Sequence, residues 1–255
     1  MKQSIFIGFD KRHAVAHAVC RHSVMRRLTR PLPVCGIVLD ELRAMGLYTR
    51  PTEVRPTDDG HHTQLWDVIS EAPMSTEFAI SRFLTPHLAR VGLAAFMDCD
   101  ILARVNLVKL FEQFDPRYAV MCVKHQHAPV ESVKMDGQLQ PAENDPRFPG
   151  RYSRKNWSSV MIFNCDHPAN EALTVQMINS VPGRDLHAFC WLKDEHIGEL
   201  APRWNYLVGH SKLYEAQNGD NPSIVHWTDG YPLLKGYENA EYAGEFFAEL
   251  TSWAK

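Results

Sequence analysis

Gly92-Leu93-Ala94-Ala95-Phe96-Met97-Asp98-Cys99-Asp100-Ile101-Leu102 is a short apolar run that delivers two carboxylates one residue apart. A run of about 4–8 apolar residues reads as a buried strand. In an open α/β sheet, ligands collect just beyond the carboxyl ends of the strands, which is where Asp98 and Asp100 fall. Hard cations such as Mn²⁺ or Mg²⁺ take oxygen ligands, with one or two carboxylates completed by substrate phosphates and water. The stretch is therefore a candidate metal and diphosphate site. Asp also ends strands and starts turns through local hydrogen bonds, so the neighbouring segments decide between the two readings.

Those segments alternate strand and helix. Residues 4–9 read as a first strand with Asp10 at its end, 13–28 as a helix, 34–39 as a second strand, and the Pro/Thr/Asp-rich stretch 50–60 as a loop. Over 74–89 the pattern predicts a helix with Ser75 as its N-cap and an apolar stripe of Phe78, Ile80, Phe83, Leu84 and Leu88. Helix over 106–114 and strands over 118–123 and 159–163 follow. Asp166 reads as the cap of a helix reaching about residue 180. Residues 124–155 form an irregular loop or hairpin insertion, marked by Asp136-Gly137, and a C-terminal helix covers about 238–253. The alternation argues for α/β architecture: one domain over 1–255 with a mostly parallel sheet flanked by helices.

With 255 residues, 45% hydrophobic and 22% charged, the chain can bury a sizeable core. A formal charge of -3 argues against nucleic acid as a partner. No apolar run is long enough for a transmembrane segment and the N-terminus lacks a secretory pattern, so a cytoplasmic protein is expected. Six cysteines without a C-x-x-C pair read as buried free thiols. His125-Gln126-His127 and His61-His62 lack further ligands and read as solvated chain.

Several segments together fit one known pattern, and the chain resembles the GT-A (Rossmann-like) fold glycosyltransferases. The likeness is to the family-8 type, glycogenin and LPS galactosyltransferase-like, and its short bacterial or phage-type members. It runs from Ile5 to about Tyr237. In Ser81-Arg82-Phe83-Leu84 followed by Phe96-Met97-Asp98-Cys99-Asp100-Ile101, the resemblance implies that Arg82 contacts donor phosphates and that Asp98 and Asp100 are the D-x-D pair on Mn²⁺ (or Mg²⁺). Guanidinium forks suit phosphate oxygens, and a cation offsets charge on a departing diphosphate.

The segment His226-Trp227-Thr228-Asp229-Gly230-Tyr231-Pro232-Leu233-Leu234-Lys235 is similar to the family's H-x-x-G-x-x-K, which implies His226 as third metal ligand with Gly230 and Lys235 near the diphosphate. This chain has one extra residue before Gly230 and two before Lys235. Lys155-Asn156-Trp157-Ser158-Ser159 resembles the segment that frames the donor sugar, implying sugar contacts for Asn156 and Ser158. Trp191-Leu192-Lys193-Asp194-Glu195 is similar to the family's acidic segment, implying Asp194 beside the anomeric carbon, and Asp10 matches a nucleoside contact. The activity implied is metal-dependent transfer of a sugar from a nucleoside diphosphate sugar, UDP-sugars foremost, to a glycan or other hydroxyl acceptor with retention. Two alternatives stay open: a haloacid dehalogenase-type phosphohydrolase with Asp98 as nucleophile, and a non-catalytic nucleotide-sugar-binding module.

Overall fold

The computed structural model describes residues 1–57, 62–125, 154, 156–211 and 221–255. The 124–155 insertion lies almost wholly outside them. The strands are β1 (Gln3–Gly8), β2 (Val34–Ile37), β3 (Thr52–Pro56), β4 (Thr63–Asp67), β5 (Ala72–Met74), β6 (Leu93–Met97), β7 (Ile101–Ala103), β8 (Val120–Cys122), β9 (Val160–Asn164), β10 (Ile197–Glu199), β11 (Tyr206–Leu207) and β12 (Ile224–His226). The helices are α1 (Ala14–Met25), α2 (Leu39–Ala44), α3 (Thr85–Ala89), α4 (Val108–Phe111), α5 (Val175–Ile178), α6 (Gly183–His187) and α7 (Ala243–Trp253), with short 3₁₀ turns between them.

The central sheet has the order β10-β8-β9-β6-β1-β2. β1 runs parallel to β2 and β6, and β10 to β8, while β9 is antiparallel to both of its neighbours. The α/β class with a mostly parallel sheet expected from the alternation is thus the fold observed. All five residues of β6 are buried, because a strand covered on both faces has no position for a polar side chain. The main core gathers Ile5, Ile7, Phe83, Phe96, Met161 and Phe163 around this strand. A smaller core of Val19, Leu102, Val225, Trp227, Tyr231 and Phe246 joins α1 and α7 to the second sheet, β11-β12-β7.

Four local expectations are corrected. The 50–60 loop contains β3, paired antiparallel with β4; Val54 is 70% exposed, so the strand carries no apolar alternation to betray it. The 74–89 helix is instead turns, a 3₁₀ segment (Ser81–Leu84) and the short α3. Pro86 cannot donate an i→i−4 bond and crowds the preceding turn, which restarts the helix there. Asp166 caps no helix; it accepts a bond from the Gly92 N–H (2.9 Å), His167 caps the 3₁₀ turn Pro168–Ala172, and α5 begins separately. The C-terminal helix starts at Ala243 rather than near 238. Of the cysteines, Cys20, Cys99 and Cys122 are buried free thiols, whereas Cys35 is exposed.

Gly92 sets up β6. Its φ is +82°, and a Cβ there would sit 2.3 Å from the Lys2 carbonyl oxygen, in a backbone region that L side chains avoid. Gly92→Ala is expected to cost at least about 1–3 kcal/mol in urea denaturation, with a lowered midpoint and unchanged slope.

Candidate active site

The chain leaves β6 at Met97, passes through residues 98–100 and returns as β7. Two backbone bonds aim this crossing: Asp98 N–H donates to Ser159 O (3.0 Å), and Trp227 N–H donates to Asp100 O (3.1 Å). β12 pairs antiparallel with β7, with His226 opposite Ile101. One ligand atom from each of Asp98, Asp100 and His226 therefore lies within 4.8 Å of the others.

The donor set fits a divalent cation. Among the described residues, Oδ1 of Asp98 and Oδ1 of Asp100 are buried without a hydrogen-bond partner, a rare condition for buried oxygens that a cation would relieve. Asn205 Oδ1 lies 3.0 Å from His226 Nδ1, which keeps the ring proton on Nδ1 and turns the Nε2 lone pair towards Asp100 Oδ1, 3.4 Å away. Asn205 is itself held by Ser159 Oγ (2.9 Å) and His125 Nε2 (3.0 Å). Histidine ligands are commonly anchored this way through their other nitrogen. His125, read from the sequence as solvated chain, thus supports the cluster from behind.

Electrostatics point the same way. Burial pushes the Asp98 carboxyl up to about 6; Arg82 draws it down and the Asp100 charge adds to the rise. Burial works to lower the His226 pKa, but the Asp100 carboxylate, with Asp98 behind it, overrides this and leaves the imidazole above its ordinary value. Two crowded carboxylates that hold a proton or a protonated ring are also a place where a cation is favoured.

Arg82 is buried between the rings of Phe78 and Phe96, 5.3 and 5.0 Å from their centroids. Its Nε donates to Ala79 O (3.1 Å) and its Nη1 to Ser158 O (2.9 Å). The same Nη1 is 2.8 Å from Asp98 Oδ1, an ion contact outside hydrogen-bond geometry. Its charge is therefore fixed beside the acidic pair, and much of its fork is engaged inside the protein.

A cavity of about 530 Å³ opens over the cluster. Of the residues named from the sequence, Arg82, Asp98, Asp100, Asn156, Ser158, His226 and Gly230 line it. Asp10, Asp194 and Lys235 are not among its lining residues. The Asp10 carboxylate is fully buried and accepts from Arg12 N, Nε and Nη2 and from Glu77 N. Burial alone would raise its pKa, but these bonds hold it below the ordinary value; it caps a turn and leaves no oxygen for a nucleoside. The Asp194 side chain is 89% exposed and paired with Arg154, which does line the cavity. Lys235 directly follows Leu234, which does line the cavity.

Sequence reasoning missed His13, Arg184, His187 and Tyr231, all of which line the cavity. Arg184 and His187 come from α6, a single turn whose only sequence mark is the Pro182-Gly183 start. His13 Nδ1 and the Tyr231 hydroxyl meet at 3.1 Å, a contact between the first helix and the C-terminal loops that no local pattern announces.

No protein-family model matches the chain. The structure has the GT-A type of fold seen in solved glycosyltransferases. The bifunctional glycosyltransferase WbbM superposes with a TM-score of 0.64 at 15% identity, over 98% of this chain and 49% of that one. The galactosyltransferase LgtC, solved with donor and acceptor sugar analogues, gives 0.59 at 13% identity over 98% and 95%, and GlyE of Streptococcus pneumoniae gives 0.59 at 13% over 100% and 62%. In sequence, the chain is 38% identical to protein CDI of Arabidopsis thaliana over 252 residues, 98% of this chain and 87% of that protein, and it belongs to the CDI family. Among the described residues, no helix is long and apolar enough to cross a membrane.

Proposed function

We propose that the chain is a metal-dependent glycosyltransferase of the family-8 type. It would move a sugar from a nucleoside diphosphate sugar, UDP-sugars foremost, to a hydroxyl acceptor with retention at the anomeric carbon. The observation that carries this reading is the cluster of Asp98, Asp100 and His226 within 4.8 Å at the floor of a cavity of about 530 Å³, in a fold shared with glycosyltransferases. LgtC, which has that fold, was solved with donor and acceptor sugar analogues.

Asp98, Asp100 and His226 would hold Mn²⁺ or Mg²⁺, which when bound supplies positive charge to the diphosphate leaving group. The protein's part is preorganisation. Asn205 locks the tautomer of His226, Arg82 fixes the carboxylate of Asp98, and the Ser159 carbonyl pins the backbone between them. Groups held in place before charge develops need no reorganisation when it does, and such preorganisation usually outweighs every other source of rate enhancement. Gly230 brings backbone to the cavity wall, with the Tyr237 ring packed behind it. Asn156 and Ser158 offer polar contacts to a sugar. Asp194 is given no part in the chemistry, because its carboxylate faces solvent.

The test is a melting-temperature comparison of UDP, GDP, CDP and ADP, each with and without Mn²⁺. A ligand at 100 times its Kd stabilises by about 2.7 kcal/mol, which is roughly 5–10 °C for a chain of this size. UDP is expected to give such a shift only with metal, and UDP-sugar is then expected to be consumed slowly by hydrolysis and faster with acceptor. No shift with any nucleotide overturns the reading. Binding without consumption favours a binding module, and phosphate release from simple phosphomonoesters favours a phosphohydrolase.

A further inference from the structure

Three guanidiniums line the cavity, and only Arg82 stands against the metal cluster. The other two, Arg154 and Arg184, belong to the wall built on α6. The Arg184 carbonyl accepts from Ala188 N–H (3.0 Å), and the Ala188 carbonyl accepts in turn from Arg154 Nη1. Between them in sequence, His187 Nδ1 meets Ser158 Oγ at 2.7 Å. The Trp157 ring packs on the Arg154 guanidinium, 5.5 Å from its centroid, and fixes its plane.

The carboxylates beside these two arginines are not among the lining residues. Asp194, the partner of Arg154, is 89% exposed, and a pair with so solvated a group is weak and exchangeable. Asp185 Oδ1 is 3.6 Å from Arg184 Nε, longer than a hydrogen bond. The positive charge of both arginines therefore faces the cavity. It does so beyond Ser158, since Arg82 Nη1 lies between Asp98 Oδ1 (2.8 Å) and the Ser158 carbonyl (2.9 Å). A diphosphate on the cation would take the Asp98 side, and the sugar it carries would extend towards Ser158 and α6.

We propose that Arg154 and Arg184 form an anion subsite for the carboxylate of an acidic sugar, a uronic acid carried by the nucleotide donor. The inference rests on the donor-sugar reading above and narrows it to UDP-uronic acids. A carboxylate offers two oxygens to a planar guanidinium, and such charge-assisted pairs are strong and directional. A neutral hexose in the same place displaces water from both guanidiniums and returns only neutral acceptors. The acidic sugar is expected to bind about tenfold or more tightly than its neutral counterpart.

Calorimetric titrations with Mn²⁺ compare UDP, UDP-glucose with UDP-glucuronic acid, and UDP-galactose with UDP-galacturonic acid. Wild type is expected to prefer one acid over its neutral partner by about tenfold or more, and Arg154→Gln and Arg184→Gln are each expected to remove that preference. Arg184→Lys keeps the charge and is expected to retain part of it. If Arg154→Gln does not fold for want of its bond to Ala188, the two Arg184 variants decide. Equal binding of acid and neutral sugar by wild type, or a preference that survives Arg184→Gln, overturns the proposal. So does a variant that weakens both members of a pair by the same factor, because the arginines then serve the diphosphate. A further titration adds methyl glucuronide to protein saturated with UDP and Mn²⁺. Binding there that depends on Arg184, without preference among the donors, places the carboxylate on the acceptor and overturns the donor assignment. A wild type that binds no UDP overturns the donor reading itself, and the proposal with it; UDP binding without preference for an acid overturns the proposal alone.

Discussion

Asp100→Asn is expected to abolish the metal-dependent response to nucleotide and to lower sugar-transfer turnover by on the order of 10²–10³-fold, while leaving the fold intact. The substitution changes a charge and almost no volume. Among the described residues Asp100 Oδ1 has no hydrogen-bond donor, so an amide there breaks no bond seen in the structure. What it removes is one of two negative charges facing the space between β7 and β12. Asp100 repels Asp98 when metal is absent but also attracts the protonated His226 ring. In alkaline buffer that ring is neutral and both carboxylates are charged, so there the variant in chelator is expected to melt no lower than wild type in chelator. Melting curves with and without Mn²⁺, read beside donor consumption, separate a lost ligand from a damaged fold. A variant that kept full metal-dependent turnover would falsify the assignment of Asp100 to the metal.

The second large effect is on stability, at a site away from the cavity floor. Arg50 and Asp67 are both buried, and they form a paired contact through Nε–Oδ1 (2.6 Å) and Nη2–Oδ2 (2.5 Å). Arg50 Nη1 also donates to the carbonyls of Ile178 (2.9 Å) and Val181 (2.7 Å), and Nη2 to Ser70 Oγ (3.0 Å). Ser70 Oγ accepts from Gly183 N–H (2.8 Å), the first residue of α6. The pair thus joins the β3-β4-β5 sheet to the turn that carries Arg184 and His187 into the cavity. Removing one partner of a buried pair leaves the other charge uncompensated, at about 3–5 kcal/mol. Arg50→Met or Asp67→Asn is therefore expected to lower Tm by roughly 6–20 °C. Arg50→Met combined with Asp67→Leu is expected to recover much of that loss, since apolar replacement of both charges is often neutral. A double variant as unstable as the sum of the singles would show that the two residues act separately.

Some of this is legible in the sequence, and the rest is hidden for physical reasons. β6 and the D-x-D pair stand out because a strand buried on both faces must be apolar throughout, and the change to carboxylates at its end is abrupt. Arg82, Asn156, Ser158, His226 and Gly230 follow from resemblance, and they line the same cavity. The pairing of β12 on β7 that joins His226 to Asp100 is a long-range register, and three-residue strands leave no periodicity from which to read it. Asp10 carries a local cue against a nucleoside contact, since a carboxylate two residues before an arginine at a helix start tends to fold back on its own backbone. Asp194 draws attention through its motif, whereas the nearby turn that reaches the cavity is α6, marked only by Pro182 and Gly183. The break in the 74–89 helix is legible in Pro86, although the apolar stripe around it argues for a continuous helix.

The bond from Trp227 N–H to Asp100 O, with β12 laid on β7, has a consequence for how the protein comes together. Among the described residues, every strand of the central sheet precedes residue 200, yet the imidazole of the cluster arrives only with β12. A growing chain can therefore assemble its main sheet and bury β6 while the acidic pair still lacks its histidine. Completion of the cluster belongs to the docking of the C-terminal segment, so cation affinity becomes a gauge of whether that segment is in place.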